Sequence, residues 1–284
     1  MTTLIEHRNF PNERDLYGAR GLRLVDCTFE GEADGESALK EASDISLERC
    51  RMALRYPLWH CDGLCLKDVR MEPTCRAALW YTRNARIEDS ALHGIKAVRE
   101  CADIALRHCD VVSAEFGWKC SGLRLEDCSL EGEYPFLDSR GLAFENMRLK
   151  GKYSFQYAQD ITIDHCELDT KDAFWHAKNV VVRDSTVRGE YLGWFSEGLT
   201  LERCRIAGTQ PLCYARGLTL LDCTMEGCDL SFEYSDVHAS VLGEILSVKN
   251  PRSGCIEADG YGEILLTPDS KYPPTAKILT RGRP

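Results

Sequence analysis

The string SGLRLEDCSLEG at Ser121–Gly132 recurs along the chain with a short, nearly fixed period, and this constrains the fold most. Its first leucine, Leu123, has counterparts at Leu22, Ile45, Leu64, Ala85, Ile104, Leu142, Ile161, Val180, Leu199, Leu218 and Val237. From Ala85 onward the step is 19 residues each time, and the first three steps are 23, 19 and 21. A unit this short cannot enclose a core alone. Each must cover the apolar face of the next, which defines a solenoid.

With that apolar position written L, positions L+2 and L+7 are also apolar in every unit through that of Leu218, as at Leu125 and Leu130. Positions L+1 and L+3 are mostly polar, as at Arg124 and Glu126. Period-two alternation marks strands with one buried face. Position L−1 is Gly, Asp or Asn throughout, the residues that tolerate positive φ, so the chain turns there before each strand. Glycine at L+9 (Gly94, Gly132, Gly151, Gly189, Gly208, Gly227) marks a second corner. No segment has helical period. Leucine-rich repeats share part of the string, but they expect about 20–29 residues per unit and a large apolar residue at L−3. Here L−3 is small, as at Cys61, Cys101, Cys120 and Ala158. The pattern predicts an all-β, right-handed, single-stranded parallel β-helix of about twelve coils, forming one domain over 1–284. Residues 1–18 read as a cap, 19–237 as the repeat array, and 238–284 as a closing coil and second cap.

Charge and cysteine content narrow the partners. A formal charge of −10 with no Lys/Arg-rich run argues against nucleic acid and against an anionic membrane surface. No apolar run approaches the roughly 20 residues that span a bilayer. The start MTTLIEHRNF lacks a secretion signal, so fifteen cysteines point to a reducing cytoplasm and free thiols. Seven of them share position L+5: Cys27, Cys50, Cys109, Cys128, Cys166, Cys204 and Cys223. Val, Ser and Met replace them in other units, which describes interior filling rather than ligation. No C-x-x-C occurs, so neither a metal nor another cofactor is expected.

The informative feature is an aromatic stripe. All five tryptophans, Trp59, Trp80, Trp118, Trp175 and Trp194, fall at L−5, with Tyr17 and Phe232 in the same column. The adjoining column L−4 includes His60, Tyr81, Glu100, Lys119, Asp138, Tyr157, His176, Phe195 and Tyr214. Lying between an apolar L−6 and a small L−3, both columns read as outward-facing at a bend. Exposed rings concentrated in one stripe mark a binding surface, and rings beside carboxylates and histidines suit sugars. The expected ligand-binding set is the five tryptophans with Tyr81, Glu115 and Asp172. The expected catalytic set is Asp138, Tyr157, His176, Lys119 and Glu100. The other reading is that the rings stack on themselves or meet another subunit.

Three strings carry a resemblance: GEYLGWFS at Gly189–Ser196, GTQPLCYARGLTLLDCTMEGCDLSFEYSDV at Gly208–Val237, and SVKNPRSGCIEADGYGEI at Ser247–Ile264. They resemble an uncharacterised bacterial family, catalogued as a domain of unknown function, with a pectin-lyase-like β-helix. Members are sometimes labelled hydrogenase, but nickel–iron sites take paired C-x-x-C motifs and this chain has none. The wider pectin-lyase-like class implies polysaccharide lyase or glycoside hydrolase chemistry. Two functions follow: a cytoplasmic protein holding a carbohydrate or similar polar ligand on the aromatic face, or a non-enzymatic scaffold that self-associates through it. The alternation itself is testable. Leu125→Asp, which buries a charge between coils, should abolish the folded circular-dichroism signal, whereas Arg124→Asp should leave it intact.

Overall fold

A computed structural model of the chain describes residues 2–32 and 37–282. Its regular elements are all strands, and they form a parallel β-solenoid of about 14 turns with a period of about 19 residues. The chain divides into two compact units, Met1–Ala143 and Phe144–Pro284.

In the first unit, six-residue strands run through Arg20–Val25, Ser43–Glu48, Asp62–Lys67, Arg83–Glu88, Ala102–Arg107 and Ser121–Glu126. Each pairs in parallel with the next, placing L over L: Leu22 opposite Ile45, Ile45 opposite Leu64, and Ile104 opposite Leu123. Shorter strands such as Arg51–Met52, Arg70–Met71 and Ala91–His93 make a second parallel ladder. The second unit repeats the scheme, with Ile161 opposite Val180 and Val180 opposite Leu199. The expected caps are more regular than their sequences indicate. Thr3–Glu6 already pairs with the first repeat strand, and Ser253–Ala258 and Lys277–Thr280 continue the ladder past Val237.

Side-chain burial follows the alternation. Leu125 and Leu130 are buried and Arg124 is exposed. The L+5 cysteines are all buried and unpaired, and Cys109 Sγ donates to the Arg107 carbonyl at 3.2 Å. Burial pushes the Cys50 and Cys166 thiols up to about 11, which keeps them protonated and inert. Phe136, Phe155 and Phe174 fill the interior at L−6, the last two stacked at 5.0 Å. Phe232, expected beside the tryptophans, is fully buried in this same role. The register runs one residue late around Phe232, although Leu218 to Val237 still spans 19 residues, and this turns Phe232 inward and sends Tyr234 outward to pack on Tyr214.

Every L−1 residue except Asp236 lies at positive φ, between 53° at Asp44 and 74° at Gly63. Further left-handed columns lie at L+4, where Asp and Asn are again common, and at L−4 and L−8, where they are not, with Tyr157 at 57°, His176 at 54° and Tyr191 at 56°. A non-glycine residue in this region costs on the order of 1–2 kcal/mol. Hydrogen bonds between coils hold it there. The amides of Tyr157 and His176 donate to the carbonyls of Trp175 and Trp194 at 2.9 and 3.0 Å. Glycine at L+9 answers a different constraint in coils such as those of Gly132, Gly189 and Gly208, close approach of backbones. A Cβ on Gly132 would sit 2.2 Å from the Ser113 oxygen, and one on Gly208 1.9 Å from the Gly189 oxygen. Gly208→Ala should therefore lose at least ~2 kcal/mol in urea unfolding. Gly227→Ala, with open space around the added methyl, should lose only ~1 kcal/mol, the backbone cost alone.

Candidate ligand groove

Stacking the same position coil upon coil converts the sequence columns into ladders of rings. In the first unit, the Lys40 ammonium lies 4.0 Å from the Trp59 ring centre, and Trp59 stacks on Trp80 at 5.5 Å. The Arg99 guanidinium then lies between Trp80 and Trp118, at 5.6 and 5.2 Å. Lys40 and Arg99 occupy the L−5 column itself, so cations alternate with rings along one edge. Arg99 also reaches Glu100 at 3.3 Å and Glu115 at 3.6 Å. A hydrogen bond to Glu100 raises the Tyr81 phenol above its ordinary range. Trp80, Trp118, Tyr81, Glu100 and Glu115 are thus gathered around an arginine that the sequence reading did not single out. A cation in an otherwise aromatic column was the available signal. Trp59 and Tyr81 also border a small hollow of about 290 Å³ with Lys40, Glu41 and His60. Lys119 and Asp138 are exposed and make no ion pair among the described residues.

In the second unit the ladder moves to L−4. Tyr157 stacks on His176 at 5.1 Å and 4°, His176 on Phe195 at 5.0 Å and 9°, and Phe195 on Tyr214 at 4.7 Å and 19°. Tyr214 meets Tyr234, and Tyr234 meets Tyr272, edge to face at 5.4 Å. Trp175 and Trp194 flank the ladder, packing on His176 and Tyr214. The Trp194 indole N–H donates to the Gln210 carbonyl at 2.7 Å. Tyr272 belongs to the tail, held by the Arg252 guanidinium over its ring at 5.6 Å and by Thr275, whose hydroxyl donates to the Arg252 carbonyl at 2.7 Å. The tail therefore lengthens the stripe and leaves Tyr157 exposed at its other end. Asp172 lies apart, half-buried, its carboxyl raised first by burial.

Beside this ladder runs a column of charges: Lys178, Glu197 and Arg216 at L−2, continued by Asp236 and Arg252. Lys178 pairs with Glu197 at 3.2 Å and Arg252 with Asp236 at 3.0 Å. Between rings and charges lies a groove of about 310 Å³, lined by His176, Phe195, Tyr214, Tyr234 and Tyr272 on one side and Glu197, Arg216 and Arg252 on the other. Because His176, Phe195 and Tyr214 are stacked face to face, that part of the ladder offers ring edges to the groove rather than open faces. Burial keeps the Tyr214 phenol raised and protonated. Of the expected site residues, His176 lines this groove; Tyr157 and Trp194 support it from adjoining positions.

A larger concavity of about 670 Å³ lies on the first unit, floored by small residues such as Gly63, Gly122 and Ala105 and rimmed by Asp44, Asp103, Arg86 and Arg124. Cys65 faces it and is exposed, whereas Cys61 is buried, as their diverging positions require. Asp164, His165 and Asp184 bring three ligand atoms within 4.8 Å of one another. Asp184 is already engaged by Arg203 through two contacts of 2.7 Å, which lower its carboxyl pKa and offset its charge.

In-register parallel coils of this period define a β-solenoid protein. The chain belongs to the family of proteins of unknown function DUF3737, whose profile it matches over residues 3–279. No curated protein matches it. Among solved structures, it is similar to the A-module of the mannuronan C-5 epimerase AlgE6 from Azotobacter vinelandii, at 12% identity and a TM-score of 0.42, covering 94% of this chain and 91% of that one. It is also similar to PfbA, a surface adhesin of Streptococcus pneumoniae, at 8% identity and a TM-score of 0.35, covering 95% and 74%.

The cation–ring ladder yields a direct test. Arg99→Ala should lower stability by ~1–2 kcal/mol, since the guanidinium lies between two indoles. It should also shift tryptophan emission to the red. Arg99→Lys should recover part of both effects in the same urea titration.

Proposed function

We propose that the groove of the second unit binds a carbohydrate or a similar hydroxyl-rich polar ligand. The observation that carries this reading is the pairing of five rings of the ladder with a charged wall around about 310 Å³, a volume at the lower end of small-molecule sites. Tyrosine hydroxyls and an imidazole on one side and guanidinium groups on the other match a ligand rich in hydroxyls. Binding is favoured over catalysis. Glycoside hydrolysis uses two carboxyl groups flanking the bond, and the groove lining contains one, Glu197, already paired with Lys178. Fifteen unpaired cysteines support a reducing, cytoplasmic setting.

A second reading, a self-associating scaffold, is supported by the exposed Leu242, Leu246, Ile264, Leu266 and Leu279 near the end of the second unit. Leu246→Glu should lower the mass measured by light scattering if those side chains meet another copy.

The groove reading is tested by titrating tryptophan emission with neutral and acidic oligosaccharides, because Trp194 lies 5.3 Å from Tyr214. Saturable quenching by one sugar class is expected. It should weaken about tenfold in Tyr272→Ala, which removes a ring at the rim without touching the buried core. Emission indifferent to every sugar would remove the groove as a carbohydrate site.

A further inference from the structure

The charged wall of the groove is not balanced. The column behind it holds three cations, Lys178, Arg216 and Arg252, against two carboxylates, Glu197 and Asp236, and of these Arg216, Arg252 and Glu197 line the groove. The pairs Lys178–Glu197 and Arg252–Asp236 use both carboxylates. Arg216 stands between them in the column, is exposed, and makes no side-chain ion pair or hydrogen bond among the described residues. It nevertheless lines the groove.

Three of the five rings on the facing wall have the same polarity. His176, Phe195 and Tyr214 are stacked within 19° of parallel, so their negative faces are turned toward one another. What they turn to the groove is the positive ring edge, with phenolic O–H groups as donors. The Tyr214 hydroxyl stays protonated, because burial first and then the neighbouring Glu233 raise it. A free guanidinium, ring edges and phenol donors are all complementary to negative charge. A neutral sugar could accept from the guanidinium through its hydroxyls but would not oppose its charge.

We infer that the ligand is anionic, a sugar carrying a carboxylate or phosphate whose oxygens accept a forked pair of N–H bonds from Arg216. This names the ligand class for the groove proposed above and rests on that reading. Arginine suits the role because its planar donors match both oxyanions and its charge does not titrate.

The test titrates wild-type protein and Arg216→Gln with a glucuronate oligosaccharide, a glucose phosphate and the corresponding neutral glucose oligosaccharide, reading tryptophan emission. An anionic sugar should bind wild type at least tenfold more tightly than the neutral one. Arg216→Gln should lose about 10–100-fold toward the anion and little toward the neutral sugar. Preference for glucuronate over glucose phosphate, or the reverse, identifies which oxyanion Arg216 holds. Arg86→Gln, far along the chain on the first unit, should leave all three curves unchanged and control for net charge. Equal binding of neutral and anionic sugars, unaltered in Arg216→Gln, would overturn the inference while leaving the groove reading intact. Failure of all three sugars to bind would overturn both.

Discussion

Everything in this protein depends on the parallel hydrogen bonding of one coil to the next. The amide of a residue in one turn meets a carbonyl about one period away, as His176 meets Trp194 and Gly193 meets Ala173. A parallel ladder has no tolerance for a one-residue slip, because a slip would turn the whole apolar set outward. This is why L, L+2 and L+7 keep their register while the outward positions vary freely. It also explains how so many tyrosine, phenylalanine and histidine residues hold positive φ. The local cost is met by backbone bonds to the adjacent coil, which fix the conformation whatever the side chain prefers.

The same ladder governs the surface. Strands about 4.8 Å apart bring equivalent side chains within stacking distance. A column of aromatics then becomes a stack, and stacked rings lose their faces to one another. Trp59 on Trp80, Arg99 between Trp80 and Trp118, and His176 between Tyr157 and Phe195 all follow this rule. Ligand recognition is consequently left to edges, hydroxyls and the charges beside them. The first unit spends its column on cation–ring contacts, whereas the second leaves a groove between rings and charges with one arginine unpaired.

Function in a solenoid of this kind lies on side chains that the repeat does not require. The core positions of the two units are chemically alike, yet only the second places a tail tyrosine at the end of its ladder. What distinguishes its groove is an unpaired guanidinium set opposite a ring ladder, whereas arginines elsewhere, as in Asp26–Arg49 and Asp184–Arg203, close neighbouring corners.

The sequence by itself determined the fold class, the period, the two corners, the inward cysteines and the columns in which the rings lie. Each is written into a local pattern repeated many times, so one coil predicts the next. It did not determine what those columns do. Arg99 reads as one surface arginine until coiling places it between two indoles, and Phe232 reads as a stripe residue until a local one-residue shift of register turns it inward. Tyr272 has no register with the repeats, and only the path of the tail brings it to Tyr234. The absence of a partner for Arg216 is likewise decided in three dimensions, because ion pairing depends on side-chain reach between coils and not on spacing along the chain.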